Sequence, residues 1–302
     1  MIRPRELSRS IALFPARTPT LPPATHTNSY ALGARDVLLV EPATPYDGEQ
    51  RAWLEWARAL PSSGRRAVAI VLTHHHVDHV GGLEVLAREL ALPVWAHAET
   101  VAQLESRLVP TVTRLLHDGD AITLDGPLPE EWTVLHTPGH AWGHVCLWNA
   151  SSRAVVVGDM VASTGTILIA PGDGDMRVYL EQLERLAALD ARMALPAHGG
   201  PIDDPTALFR RYIAHRGMRE AKVLAALPDA SDRAESVTSL VATAYDDTPV
   251  HLWPIARLSL EAHLAKLLYE GRAATRDGQW YRGPSATDGG AAPPRVVAGA
   301  GS

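Results

Sequence analysis

Thr73-His74-His75-His76-Val77-Asp78-His79-Val80-Gly81-Gly82 places four imidazoles and a carboxylate within six consecutive positions. Few tasks other than metal binding use so dense a set of nitrogen and oxygen donors. The run before it, Ala67-Val68-Ala69-Ile70-Val71-Leu72, is short, apolar and β-branched, and predicts a buried strand that stops at Thr73. Beyond that end His74 and His76 alternate and can point the same way, while Asp78 and His79 fall in a turn leading into a helix over residues 82–90. The first pair can chelate one ion and the second can serve a neighbour; His75 faces away from both. A histidine-rich surface loop would explain a lone pair of alternating histidines. It does not explain the strand before this one and the glycines and helix after it.

Three later stretches offer matching donors. Thr137-Pro138-Gly139-His140 sets a histidine after a turn that proline fixes and glycine relaxes. The strand Ala154-Val155-Val156-Val157 delivers Gly158-Asp159, and a carboxylate at that place needs compensation from cations or, alternatively, a helix N-terminus. Pro196-Ala197-His198-Gly199 follows the strand Met193-Ala194-Leu195.

Together with the first loop, these stretches resemble the signature of the metallo-β-lactamase superfamily. The resemblance implies an α/β fold, a four-layered αββα sandwich, holding two divalent metal ions. By the same resemblance His74, His76 and His140 hold one ion, Asp78, His79 and His198 the other, and Asp159 bridges them. Zinc is the expected ion, although manganese(II) and iron(II) accept the same donors. Where many relatives carry an aspartate after the strand Val37-Leu38-Leu39-Val40, this chain has Glu41, a candidate to support a ligand from behind.

With 302 residues, 46% of them hydrophobic, the chain can bury a large core and a satellite one. Its single cysteine, Cys146, cannot form an internal disulfide, which suits a reducing compartment, and cytoplasm is the expected location. No apolar stretch approaches the length of a signal-peptide core or a membrane span. A formal net charge of −6 gives no general electrostatic attraction for nucleic acid.

The polar stretch Thr25-His26-Thr27-Asn28-Ser29 reads as a turn, with Asn28 serving the turn and His26 near the site mouth. Residues 49–60 form an amphipathic helix, and 99–108 another. His97 reads as a capping or surface residue, His144 as the residue that opens the strand Val145-Cys146-Leu147-Trp148. The glycine-rich, aperiodic residues 160–175 form a loop that can face substrate.

Residues 1–205 make the expected metal domain. After them, apolar stripes predict a long helix over residues 206–227 and two more around 237–244 and 255–268, closed by Gly271, before a hairpin turning at Asp277-Gly278. Residues 206–283 therefore read as a winged-helix-like α+β domain with its linking helix, and the Gly-, Ala-, Pro- and Ser-rich residues 284–302 as a disordered tail. Tyr212-Ile213-Ala214-His215-Arg216 resembles the joining stretch of the β-lactamase-like protein 2 branch of the superfamily, which narrows the resemblance further.

Two cations about 3.5 Å apart acidify a shared water, so a bridging hydroxide and hydrolysis are expected, with Asp78 as the catalytic residue that orients the nucleophile. The resemblance offers two electrophiles: an acyl ester or thioester, as a small molecule or linked to a carrier, and single-stranded RNA cut by an endoribonuclease. Asp159 argues against a true β-lactamase, since zinc β-lactamases generally lack a bridging aspartate. Residues 206–283 hold 11 Lys/Arg against 9 Asp/Glu, too small a surplus for a module that tracks phosphates, and the expectation leans to the acyl substrate. In a third reading the winged helix binds nucleic acid or protein as a regulator and the metal domain is a sensor or a relic. Seven intact ligands speak against a relic; a lid or a homodimer surface suits the module better.

Overall fold

In a computed structural model the chain is described over residues 4–229 and 231–283, so the tail expected over 284–302 lies outside the described residues. Two compact units divide it, one with residues up to 167 and 178–213, the other with 168–177 and those from 214 onward. No helix among the described residues is long and apolar enough to cross a membrane.

The first unit is built on two sheets. The larger runs in chain order: β1 (Arg5–Ser8), β2 (Ile11–Arg17), β3 (His26–Leu32), β4 (Asp36–Val40), β5 (Arg66–Val71), β6 (Val94–His97) and β7 (Val112–Leu116). Its first four strands are antiparallel neighbours, and β4 to β7 are parallel, joined by crossover helices. Those helices are α1 (Asp47–Ala59), the single turn α2 (Val77–Val80), α3 (Leu83–Leu90) and α4 (Ala98–Gln103). The smaller sheet has the order β12-β11-β10-β9-β8, from β8 (Ala121–Leu124), β9 (Glu130–His136), β10 (Val145–Asn149), β11 (Ala154–Gly158) and β12 (Met193–Pro196).

Alternation along the strands decides which layer each side chain joins. Ala12, Phe14, Val37, Leu39, Ile70 and Leu72 meet Trp53 and Leu54 of α1 and Leu83 and Leu86 of α3. The intervening Leu13, Leu38, Val40 and Val71 meet Trp132, Val134, Leu147 and Val156 of the smaller sheet. Helix α5 (Met176–Ala187) lies against β9, where Arg185 Nη1 donates to His136 O at 2.9 Å. The order of layers is αββα.

Two departures from the sequence reading have local causes. The helix expected to reach residue 108 stops at Gln103, because Leu104 turns extended and both Leu104 and Leu108 bury against the larger sheet's core. The stretch from His26 is strand, not turn: Asn28 pairs with Pro15 across β2–β3.

In the second unit, the C-terminal part of α6 (Pro205–Ala226), α7 (Val237–Ala244) and α8 (Trp253–Tyr269) enclose Val223, Leu240, Val241, Leu260, Leu264 and Leu267. β13 (Ala273–Arg276) and β14 (Gln279–Arg282) form the wing, turning through Asp277 and Gly278, both at positive φ.

Candidate metal centre

All seven candidate ligands sit at the ends of strands or just beyond them. His74, His76, Asp78 and His79 follow β5, Asp159 follows β11 and His198 follows β12, while His140 occupies the loop between β9 and β10. The parallel register of β11 and β12, Gly158 opposite Pro196, brings the last two ligand loops together. The sheets are tied at the same edge, where Val145 N donates to Thr73 O at 2.9 Å.

The donors form two clusters. His74 Nε2, His76 Nδ1 and His140 Nε2 lie 2.9, 3.1 and 3.3 Å from one another. Free rings reach such separations only by hydrogen bonding, and two nitrogens each about 2.05 Å from a tetrahedral ion stand about 3.3 Å apart, so the spacing also suits a shared ion. In the second cluster His79 Nε2 lies 3.8 Å from Asp78 Oδ2 and 3.6 Å from Asp159 Oδ1, and His198 Nε2 lies 3.6 and 3.3 Å from the same two atoms. Asp159 reaches both: its Oδ2 is 3.5 Å from His140 Nε2. His74, His76 and His140 on one side and Asp78, His79 and His198 on the other each could hold a metal ion, and a third group, Glu41, His74 and His79, shares its histidines with these two.

Three ring nitrogens that face away from the clusters look onto oxygen atoms. Thr73 Oγ1 is 2.9 Å from His74 Nδ1, Glu41 Oε1 is 3.4 Å from His79 Nδ1, and His198 Nδ1 donates to His26 O at 3.0 Å. With protons on those nitrogens, the Nε2 lone pairs of all three rings face inward. Glu41 is itself fixed by Thr73 N, which donates to Oε1 at 3.2 Å, and Thr27 Oγ1 reaches Asp78 Oδ2 at 3.4 Å.

Electrostatics separate the clusters. Burial holds His74 well below the usual histidine range, and positive charge at His79, His76 and His140 would push it further down. His79 is as deeply buried, yet Asp78, Asp159 and Glu41 together outweigh that burial and hold it well above the range. Asp159 is held well below the usual carboxylate range, burial being overcome by His198 and His79, and His198 is raised by Asp159 against its own burial. His79 Nε2 nevertheless has no hydrogen-bond partner, since 3.6 Å to Asp159 Oδ1 is too long for one. Buried nitrogen and carboxylate donors that converge on two points fit a pair of cations, which would take the protons' place.

His144 is the supporting residue the sequence reading undervalued. Although it does precede β10, it is fully buried, its Nδ1 pairs with Thr137 Oγ1 at 2.8 Å, and its Nε2 accepts the backbone N–H of Asp159 at 3.1 Å. A Cβ on Gly158 would stand 2.5 Å from that Nε2, so the glycine is a condition of the contact. Asn28 also does more than expected: its Nδ2 donates to Pro196 O at 2.9 Å and Gly199 O at 2.7 Å, holding the His198 loop. His75 lines a separate cleft of about 380 Å³ with Val77, Glu84 and Leu108, and His97 caps α4 by accepting from Glu99 N at 3.2 Å.

With this arrangement established, comparison with known proteins is direct. The family model of the metallo-β-lactamase superfamily matches residues 22–198. The chain belongs to the metallo-β-lactamase superfamily. As a member it is a metal-dependent hydrolase with the superfamily's αββα fold, and a β-lactamase-associated winged helix domain matches at residues 236–280. It is 31% identical over 209 residues to a β-lactamase-like protein 2 homolog of Drosophila melanogaster, covering 67% of this chain and 69% of that one. It is 28% identical over 204 residues to the atrochrysone carboxyl ACP thioesterase of Aspergillus fumigatus, covering 67% and 59%. Among solved structures, a metallo-β-lactamase family protein from Thermus thermophilus superposes with a TM-score of 0.72 at 26% identity, covering 92% of this chain and all of that one.

Proposed function

We propose that this chain is a binuclear hydrolase of acyl esters or thioesters, with His74, His76 and His140 on one ion, Asp78, His79 and His198 on the other, and Asp159 bridging. The observation that carries the reading is Asp159, whose two oxygens face different histidine clusters at 3.3 and 3.5 Å. Zinc is our choice, because five imidazoles and two carboxylates suit it. Two divalent cations held there would lower the pKa of a water and polarise the acyl carbonyl. Asp78, held by Thr27 and facing His198, orients the attacking water by accepting its hydrogen bond. As the oxygen–carbon bond forms and the carbon–sulfur or carbon–oxygen bond breaks, the water's proton leaves with the departing thiol or alcohol.

Two considerations favour the acyl electrophile. A relative of comparable similarity is named as a thioesterase of an acyl carrier protein. The winged helix, moreover, spends its positive charge internally: Arg219, Lys222, Arg257, Lys266, Arg272, Arg276 and Arg282 all sit in ion pairs with acidic neighbours. That leaves little to follow a phosphate backbone. We accordingly assign catalysis to residues 1–205 and an accessory role to 206–283. The test is turnover of an acyl-thioester panel beside a labelled single-stranded RNA, with Asp78→Ala as the contamination control and metal content read by mass spectrometry. Thioester hydrolysis lost in the variant, at two zinc ions per chain, is expected; RNA cleavage lost in the variant, with thioesters untouched, would overturn the reading.

A further inference from the structure

A cleft of about 500 Å³ opens in the first unit between the start of the larger sheet and the loop that follows β12. Leu13, Pro15 and Pro23 give it an apolar side, and His26 and Gly199 bring it up against the metal centre. Gly199 follows His198 in the chain, and the carbonyl of His26 accepts the His198 Nδ1 proton at 3.0 Å. The cleft therefore begins one residue from a proposed ligand. Its volume suits a small organic group, not a folded partner.

One strongly charged side chain lines it. Arg5 stands on β1, exposed, and has no ion pair among the described residues, whereas its neighbour Glu6 is engaged by Arg65 at 2.6 Å. Among the described residues no carboxylate lines the cleft to neutralise it. A planar guanidinium at one end of an apolar trough matches a chain that is apolar along its length and anionic at its tip, because the guanidinium can grip a carboxylate through two parallel hydrogen bonds. His26, whose Nδ1 is 2.7 Å from Thr25 Oγ1, adds a polar edge nearer the metal centre.

We propose that this cleft is the acyl subsite and that Arg5 selects acyl groups bearing a carboxylate at the end remote from the scissile bond. This rests on the acyl-hydrolase reading above, yet it can be tested without turnover. Two non-hydrolysable thioether analogues are compared by calorimetry, one ending in a carboxylate and one in the neutral amide of the same length. The wild-type chain is expected to bind the carboxylate about 10-fold more tightly. Arg5→Gln should equalise the two affinities, and Arg5→Glu should make the carboxylate the weaker ligand, while the amide binds all three proteins alike and so reports an intact fold. Equal affinities in the wild type, a preference that survives Arg5→Gln, or absence of binding by both analogues at millimolar concentration would each overturn the subsite. So would an Arg5-dependent affinity confined to single-stranded oligonucleotide. Failure of thioester turnover with the carboxylate preference intact would instead overturn the reaction and leave the cleft.

Discussion

Replacing Gly139 with alanine tests whether the His140 loop is set by backbone packing or by the metal proposed to bind there. Gly139 has φ +132°, a conformation that side chains resist, at a cost of about 1–3 kcal/mol. A Cβ there would stand 2.4 Å from both Cα and N of Tyr179 and 2.6 Å from its Cβ. These are mostly backbone atoms of α5, and Tyr179 is pinned in turn by its hydroxyl, which donates to Met160 O at 2.7 Å. Reaching ordinary contact, 3.4 Å or more, requires the 137–140 loop to retreat by about 1 Å, and overpacking of this kind adds about 1–3 kcal/mol. His140 Nε2 then leaves its place 3.1 Å from His76 and 3.3 Å from His74. A misplacement of about 1 Å at a reacting centre costs about 100-fold in rate.

The expected result for Gly139→Ala is therefore a fall of about 100-fold in kcat/KM, a metal content reduced from two ions towards one, and a lower Tm. The control is Gly217→Ala, on the exposed side of α6, where an added Cβ would meet nothing within 4 Å and should gain about 0.5–1 kcal/mol of stability. A Gly139→Ala enzyme with full metal content and activity within about twofold of wild type would refute the reasoning, because it would show that the loop, or α5, yields freely.

Three further outcomes follow from other contacts. Glu220 resists protonation down to about 2 despite its burial, because His263, Lys266 and Arg272 hold its carboxylate; a depressed value means stability present above the ordinary range near 4.5 and lost as pH falls towards 2. Glu220→Gln should thus cost on the order of 2 kcal/mol at pH 7 in urea unfolding, after allowance for solvent screening, and the gap to wild type should close between about pH 4.5 and 2; a gap constant across that window would count against it. Tyr212→Phe removes the hydroxyl that accepts from Ala162 N at 3.0 Å and donates to Ala162 O at 3.1 Å, so the variant should lose about 1–2 kcal/mol and raise KM more than it lowers kcat, and unchanged kinetics would exclude a role in holding that loop. Glu41→Gln keeps an acceptor for Thr73 N but removes the charge behind His79, which should weaken metal binding about 10- to 100-fold in a chelator competition; unaltered affinity would sever Glu41 from the site.

What the sequence disclosed and what it withheld divide along chain separation. The spacing of His74 to His79 after an apolar run is local chemistry and could be read directly, as could the stripes of α1, α7 and α8 and the Asp277-Gly278 turn of the wing. His144 looked like an ordinary strand opener because the N–H it accepts lies 15 residues on, at Asp159. Asn28 looked like a turn residue because its partner Gly199 is 171 residues away. β1 escaped notice because Arg5-Glu6-Leu7-Ser8 is an exposed, charged edge, the usual guard against edge pairing, with no apolar alternation to betray it. Contacts made only after the two sheets close leave no periodic trace, and most of the residues that support the centre are of that kind.

The same closure explains why a site of this composition exists at all. Val145 N to Thr73 O, Asn28 to the His198 loop and His144 to Asp159 are links between protein groups, and none of them needs an ion. They force three ring nitrogens to within 3.3 Å of each other and set Asp159, Asp78 and Glu41 around a fully buried His79. Such a centre sets buried carboxylates beside converging ring nitrogens, and cations held there would meet the carboxylates' charge and the lone pairs together. Metal binding should then raise stability by an amount that grows with the logarithm of free metal concentration, since the ions bind the folded arrangement and find no such convergence in the open chain.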